Sequence, residues 1–112
     1  MATTFERAFA HFITTCPYIT AVHDLLTKQR VELMDGYCLD CFFNATLGKY
    51  GYTLIHNGKR VVGWDNAPHH PGLPNFPHHI HYADGRIEAS LLNGDPAHDL
   101  AVVQSTLEEF LR

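Results

Sequence analysis

The sequence predicts an α+β fold: an antiparallel β-sheet meander flanked by an N-terminal and a C-terminal helix, in two layers. Three observations predict it. Apolar residues recur at helical spacing most clearly near the two ends, at Phe5, Phe9, Phe12 and Ile13 and again at Leu100, Val103, Leu107 and Leu111. Between them lie short runs rich in aromatic and β-branched residues. Two of the breaks between these runs, Asp35-Gly36 and Asn57-Gly58, are tight-turn dipeptides. Such close turns leave little room for the long crossovers that a parallel sheet needs.

The elements follow in chain order. Thr3 and Glu6 have the spacing of a capping box, and Pro17 ends the first helix. Tyr18 to Lys28 is ambiguous between helix and twisted strand, and is read as strand. Val31 to Met34 and Tyr37 to Phe43 form a hairpin about Asp35-Gly36. Asn44 to Lys49 is a loop. Tyr50 to His56 puts Tyr50, Tyr52, Leu54 and His56 on one face. Asn57-Gly58 suits a type I′ turn, whose two central residues both need φ > 0. Lys59 to Asp65 is the return strand. Residues 67–78 form an irregular, proline-rich crossing. His79 to Tyr82 and Arg86 to Ala89 are short extended runs about the turn Ala83-Asp84-Gly85. Asn93-Gly94-Asp95-Pro96 ends the strands and caps the last helix, with Pro96 in its first turn. Both helices are expected on one face of the sheet, which leaves the other face for a site.

A chain of 112 residues fits a single domain spanning 1–112. With 8 Lys+Arg against 12 Asp+Glu, the formal net charge of −4 excludes a strong general attraction to nucleic acid or anionic membrane. No apolar run is long enough to span a bilayer, and the N-terminus lacks the pattern of a signal peptide. A cytoplasmic location and no membrane partner are therefore expected. Cys16, Cys38 and Cys41 do not suggest a disulfide framework. Cys38 and Cys41 have Cys-x-x-Cys spacing, but on a strand positions i and i+3 face opposite ways, so small apolar packing is the expectation.

Histidine is the compositional anomaly. There are 9, more than the 8 Lys and Arg together, and five lie between positions 69 and 81. Asp65 and Asn66 open this stretch, and His69, His70, His78, His79 and His81 are its candidate site residues. Pro68, Pro71, Pro74 and Pro77 recur every third residue, the period of polyproline II. In that conformation His69 and His78 would lie about 28 Å apart and could not share a small site. Cooperation requires the segment to fold back, with Gly72 the expected place because it tolerates φ > 0. His79 and His81 lie two apart on a strand and project from one face, with His78 on the other. Asp65 or Asn66 can orient an imidazole by accepting its N–H. Three chemistries fit: transition-metal binding, general acid–base catalysis, and nucleophilic phosphoryl or nucleotidyl transfer.

Asp-Asn-Ala-Pro-His-His-Pro (65–71) followed by Phe-Pro-His-His-Ile-His (76–81) resembles the signature of the TumE-like family, toxins of type II toxin–antitoxin systems. The resemblance extends more loosely from the first helix to the last. It departs from the family pattern at Gly63, where an arginine is usual, at Gly72, where a glutamate is common, and at Ile80, where a lysine is common. The resemblance implies growth inhibition relieved by a bound antitoxin, usually a helix-turn-helix protein encoded alongside. RNA cleavage is the common mode for toxins of this size, and a homodimer is compatible with that class.

On this reading the protein is a ribonuclease. His79 and His81 serve as base and acid, and His69 or His70 is a third partner if the loop folds back. Lys59 and Arg60 are candidate phosphate contacts, and Trp64 a base-stacking platform together with Phe76. Tyr50 and Tyr52 are expected to pack in the sheet or core. This reading requires no cofactor. The alternatives are a metal-dependent hydrolase or metal-binding module that holds a divalent transition metal on His-x-His, and a non-enzymatic inhibitor that acts by binding a partner.

Overall fold

The computed structural model describes residues 2–112. Helix α1 (Thr4–Thr15) begins where the Thr3 hydroxyl accepts the Glu6 N–H at 3.0 Å. Seven strands follow: β1 (Ile19–Asp24), β2 (Gln29–Leu33), β3 (Tyr37–Asn44), β4 (Lys49–His56), β5 (Lys59–Asp65), β6 (His79–Tyr82) and β7 (Ile87–Ala89). Each pairs antiparallel with the next, so spatial order equals chain order. Helix α2 (Pro96–Leu111) closes the chain. The fold is the predicted α+β meander. The ambiguous segment after Pro17 is a strand, paired with β2 from Ile19 to Asp24. Both tight turns carry the left-handed residues that type I′ geometry requires: Asp35 (φ 60) with Gly36 (φ 78), and Asn57 (φ 53) with Gly58 (φ 72).

Alternation along the strands divides the sheet into two faces. Cys41, Tyr52, Trp64 and Ile80 lie opposite one another across β3 to β6 and are all buried. Helix residues Ala8, Phe12, Leu100, Val103, Leu107 and Leu111 complete the same core. The Phe5 and Phe43 rings stack at 5.3 Å, which seats α1 on this face. Leu100, Val103, Leu107 and Leu111 are all at most 6% exposed, so the helical spacing read from sequence is the buried stripe of α2. No helix among the described residues is long and apolar enough to cross a membrane.

The other face carries two cross-strand rows with a different chemistry. One row runs Arg30, Asp40, Thr53, Gly63, His81, Ile87. The next runs Phe42, Gly51, Asp65, His79, Ala89. No helix covers these rows. Cys38 shares this face while Cys41 is buried beneath the helices, and neither is in a disulfide.

At one end of the first row, Asp40 accepts from Arg30 Nε at 2.8 Å and Lys28 Nζ at 2.7 Å. The Arg30 guanidinium, with Lys28 beside it, holds the Asp40 carboxyl below the usual carboxylate range even though burial opposes this. A depressed folded-state pKa stabilises above the unfolded value of about 3.9 and loses that contribution as pH falls through the folded value. Asp40→Asn is expected to lower stability near neutral pH by about 1–2 kcal/mol. Its deficit should shrink in acid. Urea unfolding of both proteins at about pH 7 and about pH 3 checks this, and an equal deficit at both would contradict it.

Candidate active site

The histidine-rich segment folds back. Three successive turns reverse it, through Leu73 N–H to His70 O at 3.2 Å, Phe76 N–H to Leu73 O at 3.3 Å and His78 N–H to Asn75 O at 3.0 Å. Gly72 lies in the first of these turns, as expected, but without the positive φ that singled it out. The left-handed residue is Asn75 (φ 60), whose side-chain amide donates to the carbonyls of Ser90 and Leu92, both at 2.9 Å. Asparagine tolerates this conformation, and its side chain supplies an anchor that glycine lacks. The third-residue proline spacing therefore does not make a straight strap.

The result is a compact cluster on the uncovered face. Asp65 sits directly opposite His79 across β5 and β6, and His81 lies two residues on along the same face. His79 Nε2 lies 3.0 Å from Asp65 Oδ1, and His81 Nε2 lies 3.1 Å from Asp65 Oδ2. The two imidazole Nε2 atoms are 2.9 Å apart. His79 Nδ1–H donates to the Pro77 carbonyl at 2.9 Å, which fixes the ring and leaves Nε2 to face the cluster. Asp65 Oδ1 also accepts the Ala67 N–H at 2.9 Å, so the turn that starts the strap orients the carboxylate. His70 returns over the pair, its ring 4.9 Å from that of His79 and 6.1 Å from that of His81.

Burial is graded across the cluster. His79 is 2% exposed, while Asp65, His70 and His81 are half-buried and reachable. Burial is the largest influence on His81 and lowers its pKa; Asp65 opposes this, and Arg60 and His79 add to the lowering. Neutral His81 is thereby favoured near neutral pH. Arg60 belongs to this neighbourhood. A Cβ on Gly63 would meet Arg60 Cδ at 3.1 Å, so the arginine stem crosses the bare backbone of the residue opposite His81.

The other candidates are held elsewhere. His78 turns to the helix side, where its Nδ1 meets the Tyr50 hydroxyl at 2.9 Å. Burial raises the Tyr50 pKa, and Asp99 and Asp65 add to the rise, so the phenol stays protonated. His69 is exposed and lines a groove of about 380 Å³ with Phe42, Lys49, Pro68 and Asp65. Asn66 holds structure: its Oδ1 accepts Tyr50 N–H at 3.1 Å and its Nδ2 donates to Gly48 O at 2.7 Å. Trp64 is 2% exposed beneath the helices, so it has no face free for a base. Lys59 is exposed at the Asn57-Gly58 turn, six residues from Asp65 along β5, or about 20 Å.

Phe42 and Lys49 were not singled out from sequence, although both border the groove beside Asp65. The signal that points to them is Gly51, which lies between Phe42 and Asp65 in its row. A glycine inside a strand marks a place where something approaches the backbone closely. A second groove, of about 300 Å³, lies between α1 and α2 on the far side, with Ala8, Phe12 and Leu100 as its apolar walls and Arg7, His11 and Gln104 among its polar lining.

Fold and cluster define an α+β chain with a histidine–carboxylate centre on a free sheet face. Residues 6–112 match the family model described as toxin TumE. The chain belongs to this toxin family, which makes it the toxin of a toxin–antitoxin system with an antitoxin as its partner. No curated protein and no solved structure matches it.

Proposed function

We propose that this toxin cleaves phosphodiester bonds in RNA at the cluster of Asp65, His79, His81 and His70, and that a helix-turn-helix antitoxin silences it. The observation that carries the reading is the convergence of Asp65, His79 and His81, from two neighbouring strands, on the sheet face opposite the helices, beneath His70. RNA supplies its own nucleophile in the 2′-hydroxyl, so the protein needs a proton acceptor, a proton donor and a cation for the phosphoryl charge.

The roles differ from a simple division between His79 and His81. A base and an acid acting on opposite sides of one phosphorus must each reach a different oxygen at about 3 Å. Nitrogens 2.9 Å apart cannot flank it that way. We therefore assign His79, His81 and Asp65 to one side, as a single proton-accepting unit. His70, over the pair and half-buried, is the group for the leaving oxygen. Arg60 is the phosphate contact, because its stem runs beside His81. The groove by Phe42 and Lys49 receives the neighbouring nucleotide: an aromatic ring can stack a base, and an ammonium can meet a phosphate.

Induced expression is expected to arrest growth with loss of intact RNA. His81→Ala is expected to restore both while the purified variant keeps its circular dichroism spectrum. Northern analysis during the arrest decides the matter. RNA that stays whole while wild type stops growth would replace the ribonuclease with an inhibitor that acts by binding.

A further inference from the structure

We propose that Asp65, His79 and His81 form a binding site for one divalent transition-metal ion, taken as Zn²⁺ or Mn²⁺. The inference rests on the ribonuclease reading and on the geometry of three side chains, and it changes one role: with an ion bound, the lone pairs of Asp65, His79 and His81 would hold the metal, and a metal-bound water or hydroxide would take the proton of the 2′-hydroxyl in their place.

The argument begins with proton bookkeeping. The Pro77 carbonyl can only accept, so His79 Nδ1 carries a hydrogen. A neutral His79 then presents a bare Nε2. That lone pair faces His81 Nε2 at 2.9 Å and Asp65 Oδ1 at 3.0 Å, and His81 Nε2 faces Asp65 Oδ2 at 3.1 Å. A hydrogen on His81 Nε2 alone serves the contacts to His79 and Asp65 but leaves His79 and Asp65 lone pair against lone pair, and a second hydrogen on His79 Nε2 relieves that contact only by setting N–H against N–H between the two imidazoles. A divalent cation among the three side chains satisfies every contact at once.

The separations agree with this. Ligand atoms about 2.1 Å from a common ion lie about 3.0–3.4 Å from one another, for right-angled to tetrahedral geometry. With one ligand atom taken from each side chain, the atoms lie within 4.8 Å of one another, and the close contacts of 2.9–3.1 Å turn Asp65 Oδ1 to His79 and Oδ2 to His81, so Asp65 would ligate through both oxygens. The orienting groups are also those of a metal site. A ligating histidine commonly donates its second N–H to a backbone carbonyl, as His79 does to Pro77. The Ala67 N–H holds the carboxylate in the same way. Two imidazoles and one carboxylate suit Zn²⁺, Mn²⁺ or Fe²⁺ better than Mg²⁺ or Ca²⁺. Three protein ligands leave further positions open on the half-buried side, toward His70 and the strap, as a catalytic rather than a structural site requires. An ion held there would act as a Lewis acid toward a phosphoryl oxygen.

The test uses the full chain, purified, stripped with chelator and dialysed against micromolar Zn²⁺ or Mn²⁺, with metal measured by mass spectrometry. One ion per chain is expected. His81→Gln and Asp65→Ala should each lower the affinity at least about 100-fold, while His78→Ala should leave it within a few-fold. Co²⁺ gives a second readout that does not depend on the variants. It should produce a visible absorption band that disappears when Zn²⁺ is added. Failure of the wild type to take up an ion, or uptake undiminished in His81→Gln, would overturn the assignment. One bound ion without RNA cleavage would keep the metal site and remove the ribonuclease. Cleavage by a chain that takes up no ion would do the reverse.

Discussion

His79→Ala is expected to lower the rate of RNA cleavage by at least about 100-fold, while His78→Ala changes it by no more than a few-fold. The two residues are neighbours of the same type, and only the pleat of β6 separates their roles. His79 is 2% exposed, 3.0 Å from Asp65 and 2.9 Å from His81. Removing it takes a nitrogen from the centre and frees both partners to move. His78 lies just before β6 and turns to the opposite side, where alanine loses its 2.9 Å contact with the Tyr50 hydroxyl and its stacking on the Tyr50 ring at 5.8 Å. That loss should cost about 1 kcal/mol of stability and little activity. Single-turnover cleavage of a short RNA, run well below the melting temperature of each variant, makes the comparison. Equal losses in the two variants would mean that the segment acts through its shape and not through the cluster.

Asp99→Ala is expected to be among the most destabilising polar substitutions, at about 3 kcal/mol. Asp99 is fully buried in the first turns of α2. Its carboxylate accepts the N–H groups of Asn93 and Gly94 at 2.9 and 2.8 Å, and His98 Nδ1 at 2.9 Å. Alanine leaves two part-buried backbone donors, those of Asn93 and Gly94, without this acceptor. It also removes a negative charge from the positive end of the helix dipole. The contrast is Asp95→Ala. Asp95 is the exposed N-cap, and its long 3.3 Å bond to Ala97 N–H predicts a loss nearer 0.5–1 kcal/mol. Urea denaturation ranks the two, and a smaller effect at Asp99 than at Asp95 would contradict the account. The loop that Asp99 holds includes Gly94, which packs close to His78, and it follows Ser90 and Leu92, where Asn75 is anchored. A loosened loop should therefore also loosen the strap that carries His70.

Much of the fold was legible because its signals are local. Type I′ turns depend on two residues, and Asp35-Gly36 and Asn57-Gly58 declare themselves. The α2 stripe depends only on helical period. The first strand was ambiguous because Val22, Leu25 and Leu26 fit either period, and pairing with β2 decided it. Asp99 was missed because a lone acidic residue in a helix looks solvated until its burial is known.

The site was legible in part for the same reason. That His79 and His81 share a face and His78 does not follows from strand alternation alone. Arg60 and Lys59 are adjacent in the chain and looked equivalent. Only the glycine notch at 63 draws the Arg60 stem toward His81, whereas Lys59 stays at the far turn. Trp64 looked like a stacking platform because its type suits that task. Its parity in β5 places it in the core, opposite Ile80.

By itself the sequence determined the α+β meander, the toxin family and the concentration of histidines, since periodicity, turn chemistry and motif spacing are written along the chain. It also posed the question of whether the proline-spaced strap bends. The tertiary structure alone decided that it does, through turns that include Gly72 and with Asn75 as the left-handed residue, and that three of the five clustered histidines meet while His69 and His78 do not. The reason is physical. Bringing His70 back over His79 depends on distant carbonyls at Ser90 and Leu92 that anchor one asparagine, and no local pattern encodes a contact made across fifteen or more residues.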